Sequence, residues 1–298
     1  MKRVLLTLSA LLLPGGLLLA GEISNFHAYV DSDLCARLML GPITPERIQC
    51  SQSTYKEGSH PVLVRLSNNM VFTANKEKMI RNMVGQLAEV SGEAKPKNGT
   101  VKLQSANAIT ADSISQGDPA RKQLDKKDSG ATANPKLYEK IRHELAMMPY
   151  VSEFDFISFT LNGGDVILTG WSIRNSNRST AYNIVKDIEG VETVVNNIDE
   201  LPLGSFDMQI RAGARAALQR HLGRYFWGSG SDIKIIVKNG NIILLGTVMN
   251  KMDHDIANIQ CNSVSGAFHV FNLLRVQPWQ PKKKDQSSAV NKEKRPGA

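Results

Sequence analysis

The chain has 298 residues, of which 42% are hydrophobic and 21% are charged. This length allows two or three domains, and this composition excludes collagen, a multi-span membrane protein and general disorder. The net charge is +8, but Lys2 and Arg3 contribute +2 and residues 281–298 contribute +4, which leaves +2 for the rest of the chain. A nearly neutral body argues against nucleic-acid binding.

Residues 1–21 have the pattern of a secretory signal peptide. Lys2 and Arg3 precede an apolar run from Val4 to Ala20, which Pro14-Gly15-Gly16 interrupts. The run is shorter than the ~20 residues that span a membrane. A cleaved leader is therefore favoured over an uncleaved anchor. We predict export, with the mature protein in the periplasm or cell envelope.

The predicted compartment bears on the redox state of the cysteines. Cys35 and Cys50 lie 15 positions apart, and an oxidising compartment favours a disulfide between them. Two free, partly buried thiols are the alternative. A metal site is not expected, because the nearby His27 and His60 lack ligand spacing. Cys261 occupies an apolar helix position and is predicted to be a buried, inert thiol.

Residues 22–109 are predicted to form a small β-rich domain. Asn98-Gly99 between apolar segments is a strong hairpin signal. Short strands separated by turns at regular spacing indicate a small barrel or sandwich. The predicted strands lie within Pro61–Leu66, Met70–Phe72, Leu87–Val90 and Thr100–Leu103.

Two further segments are too polar to form a core. Residues 110–134 consist mainly of Ser, Asp, Lys, Gln, Gly and Ala, and we predict a flexible linker there. Residues 279–298 are predicted to form a disordered basic tail. Lys282, Lys283 and Lys284 in this tail are candidates for attracting anionic lipid headgroups. The alternative is a solvated tail that aids solubility.

Residues 135–278 contain an internal repeat. Asn162–Gly170 matches Lys238–Gly246 at an offset of 76, and the same offset pairs Ile198 with Leu274. Each copy predicts the order helix, strand, strand, helix, strand, from its apolar periodicity. The first copy covers 135–203 and the second covers 204–278. Two helices on one sheet face give a two-layer α+β unit, so the predicted fold class is α+β with an N-terminal all-β barrel-like domain.

The repeat resembles the BON family, a bacterial module of about this length. The likeness rests on the turn and cap glycines and on third-strand residues such as Val194–Asn197 and Val270–Asn272. It implies a periplasmic or outer-membrane-associated binding module without catalytic activity, and such tandem pairs look like osmotically inducible, osmotic-stress periplasmic proteins. Attachment to phospholipid is the implied role, and an envelope chaperone role is another.

The glycines that carry this resemblance are predicted to shape the backbone. No Gly-x-Gly-x-x-Gly or Walker spacing opens a helix, so turns and helix caps explain them better than phosphate binding. They are Gly163, Gly170, Gly190, Gly240, Gly246 and Gly266. The N-terminal domain more distantly resembles small secreted OB-like barrels, through Gly85, Gly92 and Gly99 and the paired cysteines before the strands.

Tyr225, Phe226 and Trp227 lie in a Gly/Ser-rich insertion of the second copy. Such aromatic rings suit a membrane interface, and the alternative is that they cap the module core. The sequence contains no Ser/His/Asp elbow, HExxH or paired CxxC motif, so we predict a non-enzymatic protein with no cofactor, metal or small-molecule substrate. Its predicted partners are anionic phospholipid or envelope proteins. The alternative function is a periplasmic stress chaperone for unfolded outer-membrane proteins.

Overall fold

The computed structural model describes residues 23–40, 42–124, 134–227 and 232–277. The predicted leader and the predicted basic tail lie outside these residues. The described part consists of a strand-rich N-terminal region followed by two α+β modules. This arrangement confirms the fold class predicted from the sequence.

Five strands of the N-terminal region close into a barrel. The barrel order is β1-β2-β3-β5-β4, and β4 pairs with β1 to complete the circle. Strands β3 and β5 run parallel, and the other neighbours run antiparallel. A five-stranded Greek-key barrel is the architecture of the OB-fold. The strands are β1 (Ile23–Ser32), β2 (Pro61–Arg65), β3 (Val71–Ala74), β4 (Leu87–Lys95) and β5 (Thr100–Ile109).

Two helices that the sequence interpretation did not include lie between β1 and β2. They are α1 (Asp33–Leu38) and α2 (Pro45–Lys56). The side chain of Ser32 caps α1, and that of Thr44 caps α2. A disulfide joins Cys35 of α1 to Cys50 of α2, with their Cα atoms 6.1 Å apart. The bond therefore ties the short first helix to the longer second one.

The expectation of a flexible linker over 110–134 needs correction for residues 110–124. A third helix, α3 (Pro119–Leu124), lies in this segment. Ile114 and Ala120 are buried and pack with Tyr29 and other residues on the outer side of the barrel. Two buried apolar side chains thus dock a segment whose overall composition is polar. Residues 125–133 lie outside the described residues.

Each repeat folds as a helix, two antiparallel strands, a second helix and a strand that runs parallel to the central one. The helices pack on one face of each sheet. Module 1 contains α4 (Pro135–Ala146), β6 (Phe156–Asn162), β7 (Asp165–Ser172), α5 (Asn175–Lys186) and β8 (Thr193–Glu200). Module 2 contains α6 (Ser205–Leu222), β9 (Ile233–Lys238), β10 (Asn241–Val248), α7 (Lys251–Asn262), β11 (His269–Asn272) and β12 (Arg275–Val276).

The six repeat glycines all adopt a positive φ. Gly170 and Gly246 occupy equivalent positions, with φ of +119° and +116°. A Cβ atom at either position would lie 1.9 Å from a backbone oxygen of the neighbouring strand. Only glycine allows the hairpin strands to approach this closely, so the backbone interpretation accounts for these residues.

The helix-free faces of both sheets are buried as well. Trp171 of β7, Ile243 and Leu245 of β10 and Phe271 of β11 form one apolar cluster with Leu34 of α1. The barrel and the two modules therefore share a core where they meet, which we call the junction. Burial on both faces explains why β10 contains a continuous apolar run rather than an alternating one.

Four charged side chains, contributed by all three domains, form ion pairs with one another in the junction. Lys238 Nζ lies 2.8 Å from Asp33 Oδ2 and 2.6 Å from Asp199 Oδ2. Arg37 Nε lies 2.8 Å from Asp33 Oδ1, and Arg37 Nη2 lies 3.4 Å from Asp199 Oδ2. Burial raises the pKa of Asp33, but attraction by Arg37 and Lys238 outweighs it and holds that pKa well below its ordinary value. Burial likewise lowers the pKa of Lys238, and Asp33 and Asp199 more than reverse this effect.

Further hydrogen bonds align the three domains. The side chain of Asn197 on β8 accepts from the N–H of Val71 at 2.9 Å and donates to the carbonyl of Asn69 at 2.8 Å, both in the barrel. Between the modules, the N–H of Ile235 donates to the carbonyl of Glu153 at 2.7 Å. These bonds satisfy backbone groups that the junction would otherwise bury without partners.

Candidate functional site

The predicted aromatic insertion is divided between the core and the surface. Tyr225 is only 3% exposed, and Phe226 is partly buried against the core of module 2. Trp227, in contrast, is 81% exposed. The core-capping alternative therefore describes Tyr225 and Phe226, and of the three rings only Trp227 is largely exposed.

Asp253 holds the insertion against the start of α7. Its carboxylate accepts hydrogen bonds from Tyr225 Oη and Arg224 Nη2. Tyr225 Oη also accepts the N–H of Met249 at 2.8 Å. The side chain of Asn250 caps α7 by accepting the N–H of Asp253 at 2.8 Å. A carboxylate in the first turn of a helix is favoured by the helix dipole, so these contacts fix the position from which Trp227 projects.

Trp227 shares one end of module 2 with three other exposed apolar side chains. Met249 directly follows β10 and is linked to the insertion by the hydrogen bond described above. Met252, in the first turn of α7, is 68% exposed. Val276 of β12 pairs with Val248 at the end of β10 and is also exposed. We call Trp227, Met249, Met252 and Val276 the end patch.

Basic residues surround the end patch. Lys251 and Arg275 are adjacent to it in the chain, Arg224 lies three residues before Trp227, and all three are exposed. Arg224 and Lys251 each also pair with an aspartate of α7. The described chain ends at Gln277, whose N–H donates to the end of β10 at 2.8 Å. Lys282–Lys284 lie outside the described residues, and they follow the end patch closely in sequence.

Comparison with protein-family models gives two matches to the BON domain, over residues 135–202 and 207–278. These ranges coincide with the helices and strands of module 1 and module 2. The chain contains two tandem BON domains. These two domains support an envelope- or membrane-associated role in general. Comparison with curated proteins gave no match.

Two solved structures are similar to about half of the chain. One is the C-terminal domain of CdsD, the structural protein of the type III secretion system of Chlamydia trachomatis, at 13% identity, covering 48% of this chain and 98% of that chain with a TM-score of 0.21. A second structure of CdsD has 14% identity, covers 54% of this chain and 99% of that chain, and has a TM-score of 0.20. TM-scores this low support no inference about function.

Cys261 lies in the core of the second BON domain. It is fully buried on α7, and burial raises the pKa of its thiol to about 12. A thiol in this state is a poor nucleophile. In the described ranges, no three His, Cys, Asp or Glu side chains lie close enough together to bind a metal ion. The helices of these ranges include none with the length and apolar character needed to cross a bilayer.

The sequence interpretation did not include Met249, Met252 and Val276. The two methionines lie three positions apart at a helix start with Lys251 between them. Apolar residues beside a lysine at a helix start are a weak signal of a surface role. The exposure of Val276 depends on how β12 pairs, and the sequence contains no signal for it.

Proposed function

We propose that this protein is an exported, non-enzymatic envelope protein whose second BON domain contacts anionic phospholipid through the end patch. The observation that carries the proposal is Trp227, which is 81% exposed at an end of module 2 that is also apolar at Met249 and Met252. An indole ring is amphipathic and is favourable at the headgroup level of a membrane. Basic residues near an anionic surface add about 1 kcal/mol each.

The composition of the end patch supports peripheral contact. Fully burying one apolar side chain contributes about 1.5–3 kcal/mol, and partial insertion contributes less. Four such side chains together with Arg275 support reversible attachment, whereas the charges of Arg224 and Lys251 are partly compensated by Asp253 and Asp255. Because part of the attraction is between exposed charges, we expect binding to weaken as the ionic strength rises.

Vesicle co-sedimentation of the full chain tests this proposal. The vesicles contain phosphatidylcholine alone or an equimolar mixture with phosphatidylglycerol. The double variant Trp227→Ser, Met252→Ser should bind the anionic vesicles at least about tenfold more weakly than wild type, since losing about 1.4 kcal/mol has that effect. Phe268→Ser is the matched control, because Phe268 is 73% exposed beside the hairpin turn between β9 and β10, at the opposite end of module 2.

Two results would contradict the proposal. One is wild-type protein that does not bind the anionic vesicles. The other is equal weakening by Phe268→Ser and by the double variant. Circular dichroism of each variant confirms that the fold is retained, since both altered side chains of the end patch are largely outside the core.

A further inference from the structure

A cleft of about 860 Å³ lies between the barrel and module 1. This volume is in the range of small-molecule sites. On the barrel side it is lined by the turn between β4 and β5, including Lys97 and Asn98. On the module side it is lined by Asn175, Arg178 and Tyr182. These three residues recur at helical spacing, so they lie on one face of α5.

Arg178 is a half-buried cation that forms no ion pair within the described residues, although Asp199 and Glu200 also line the cleft. Within the described residues, its guanidinium makes one long hydrogen bond, from Nη2 to the carbonyl of Asn196 at 3.5 Å. Of these two carboxylates, the partly buried Asp199 pairs with Arg37 and Lys238, and Glu200 is exposed. Burial lowers the pKa of Arg178, and attraction by Asp199 and Glu200 counteracts this only in part. The remaining N–H donors of Arg178 are therefore available to a ligand.

The repeat indicates that the fold does not require a cation at this position. The residue of module 2 at the same offset is His254. Asn196 donates to the carbonyl of Arg178 at 2.8 Å, and Asn272 donates to the carbonyl of His254 at 2.8 Å. The contact between helix and strand thus uses backbone atoms in both modules. The side chain of Arg178 is free to serve another purpose.

We propose that this cleft binds a saccharide that carries a carboxylate or a phosphate. Arg178 holds the acidic group, because paired guanidinium N–H donors match the oxygens of either anion. Lys97 adds a second positive charge from the barrel side. The amides of Asn98 and Asn175 both donate and accept hydrogen bonds, as sugar hydroxyls require. Tyr182, which is 39% exposed, offers its ring to the apolar face of the sugar.

This site is independent of the end patch. The cleft is bounded by the barrel and module 1, whereas the end patch belongs to module 2. Its lining combines polar side chains with the apolar surface of Met70, Pro96 and Tyr182, which suits a sugar that has hydroxyl groups and an apolar ring face. The double variant Trp227→Ser, Met252→Ser should accordingly bind the sugar as wild type does.

An NMR titration of the ¹⁵N-labelled full chain tests the cleft. The probes are glucuronic acid and glucose 6-phosphate, which separate the carboxylate from the phosphate source, with glucose and inorganic phosphate as controls. At least one acidic sugar should shift amide signals of both α5 and the turn between β4 and β5. It should bind at least about tenfold more tightly than glucose or inorganic phosphate, since both the anion and the ring contribute.

Variants of Arg178 decide whether this residue anchors the ligand. Arg178→Met should weaken binding at least about tenfold, and Arg178→Lys should weaken it less, since lysine keeps the charge but not the paired donors. Arg142→Met is the matched control, because Arg142 is exposed on α4 and pairs with Glu139. Its binding should equal that of wild type. Retained dispersion of the amide signals shows that each variant is folded.

The proposal is overturned if neither acidic sugar binds, or if Arg178→Met binds as Arg142→Met does. It is also overturned if glucose binds as tightly as both acidic sugars, since the charge would then be irrelevant. Inorganic phosphate that binds as tightly as glucose 6-phosphate, with no binding of glucuronic acid, would indicate an anion site without sugar recognition and would equally reject it.

Discussion

Lys238→Met should weaken the junction of the barrel with the two BON domains. Lys238 Nζ lies 2.8 Å from Asp33 and 2.6 Å from Asp199, and its side chain is only 19% exposed. Removing one partner from a buried ion pair leaves the other charge uncompensated and costs about 3–5 kcal/mol. Because Arg37 remains close to both carboxylates, we expect a loss of about 3 kcal/mol, at the lower end of this range. Methionine preserves most of the apolar packing.

Urea unfolding followed by the fluorescence of Trp171 measures this loss. Trp171 is fully buried in the junction, and replacing Trp227 and Trp279 by Phe leaves it as the only indole reporter. Lys95→Met is the control, because its side chain is 60% exposed and lies 3.6 Å from Glu93. Such surface pairs contribute about 0–1 kcal/mol. A loss for Lys238→Met no larger than that of Lys95→Met would refute the reasoning.

The pH dependence supplies a second check on the same variant. The pKa of Asp33 is lower in the folded protein than its ordinary value of 3.8. Its contribution to stability is therefore complete above that ordinary value and disappears as the pH falls toward the folded pKa. Without Lys238 the pKa of Asp33 in the folded protein rises, so the variant has a smaller stabilising contribution from Asp33 to lose as the pH falls. The difference in unfolding free energy between wild type and Lys238→Met should shrink below about pH 4, and a difference that stays constant would contradict this.

Three further predictions concern glycines and cysteines. Gly170→Ala should lower the unfolding free energy in urea by more than ~3 kcal/mol, because its Cβ would lie 1.9 Å from a backbone oxygen. A Cβ atom at position 163 would have no atom within 4 Å, so Gly163→Ala should lower the unfolding free energy by only ~1–2 kcal/mol, because of its positive φ. Equal losses for the two variants would contradict the steric explanation for Gly170. Replacing Cys35 and Cys50 with Ala should lower the unfolding free energy by about 3 kcal/mol in the same assay. An unchanged urea midpoint would argue against a stabilising disulfide. Cys261, whose pKa is raised to about 12, should react with iodoacetamide only after unfolding, and mass spectrometry that detects rapid labelling of native protein would show it to be accessible.

The repeat could be predicted from the sequence because its determinants are local. Gly170 and Gly246 are required by a close backbone approach. Gly190 and Gly266 were expected to end helices, but they lie three residues beyond the C-caps Asp187 and Ser263, with a positive φ in the turns that follow α5 and α7. Such positions tolerate few other residues. Together with helical periodicity, they establish the order of helices and strands, and the structure follows that order in both copies.

The junction could not be predicted in this way because its partners are far apart in sequence. Asp33 and Lys238 are 205 positions apart, and a charged residue by itself does not indicate its partner. Helix α1 has six residues, which is too short to be stable or recognisable on its own. One signal was present in the sequence, since Ile242–Leu245 is a continuous apolar run. Such a run indicates a strand that is buried on both faces.

Burial of both sheet faces restricts where this protein can contact a partner. In each BON domain one face is covered by helices, and residues of the other face are in the junction with α1. In the described part of the BON domains, the outer sides of the helices, the strand ends and the clefts between domains remain open to partners. The end patch is at a strand end, and the cleft beside Arg178 lies between two domains. Because the disulfide holds α1, and α1 supplies Asp33 and Arg37 to the junction, oxidation of Cys35 and Cys50 stabilises the arrangement on which the cleft depends.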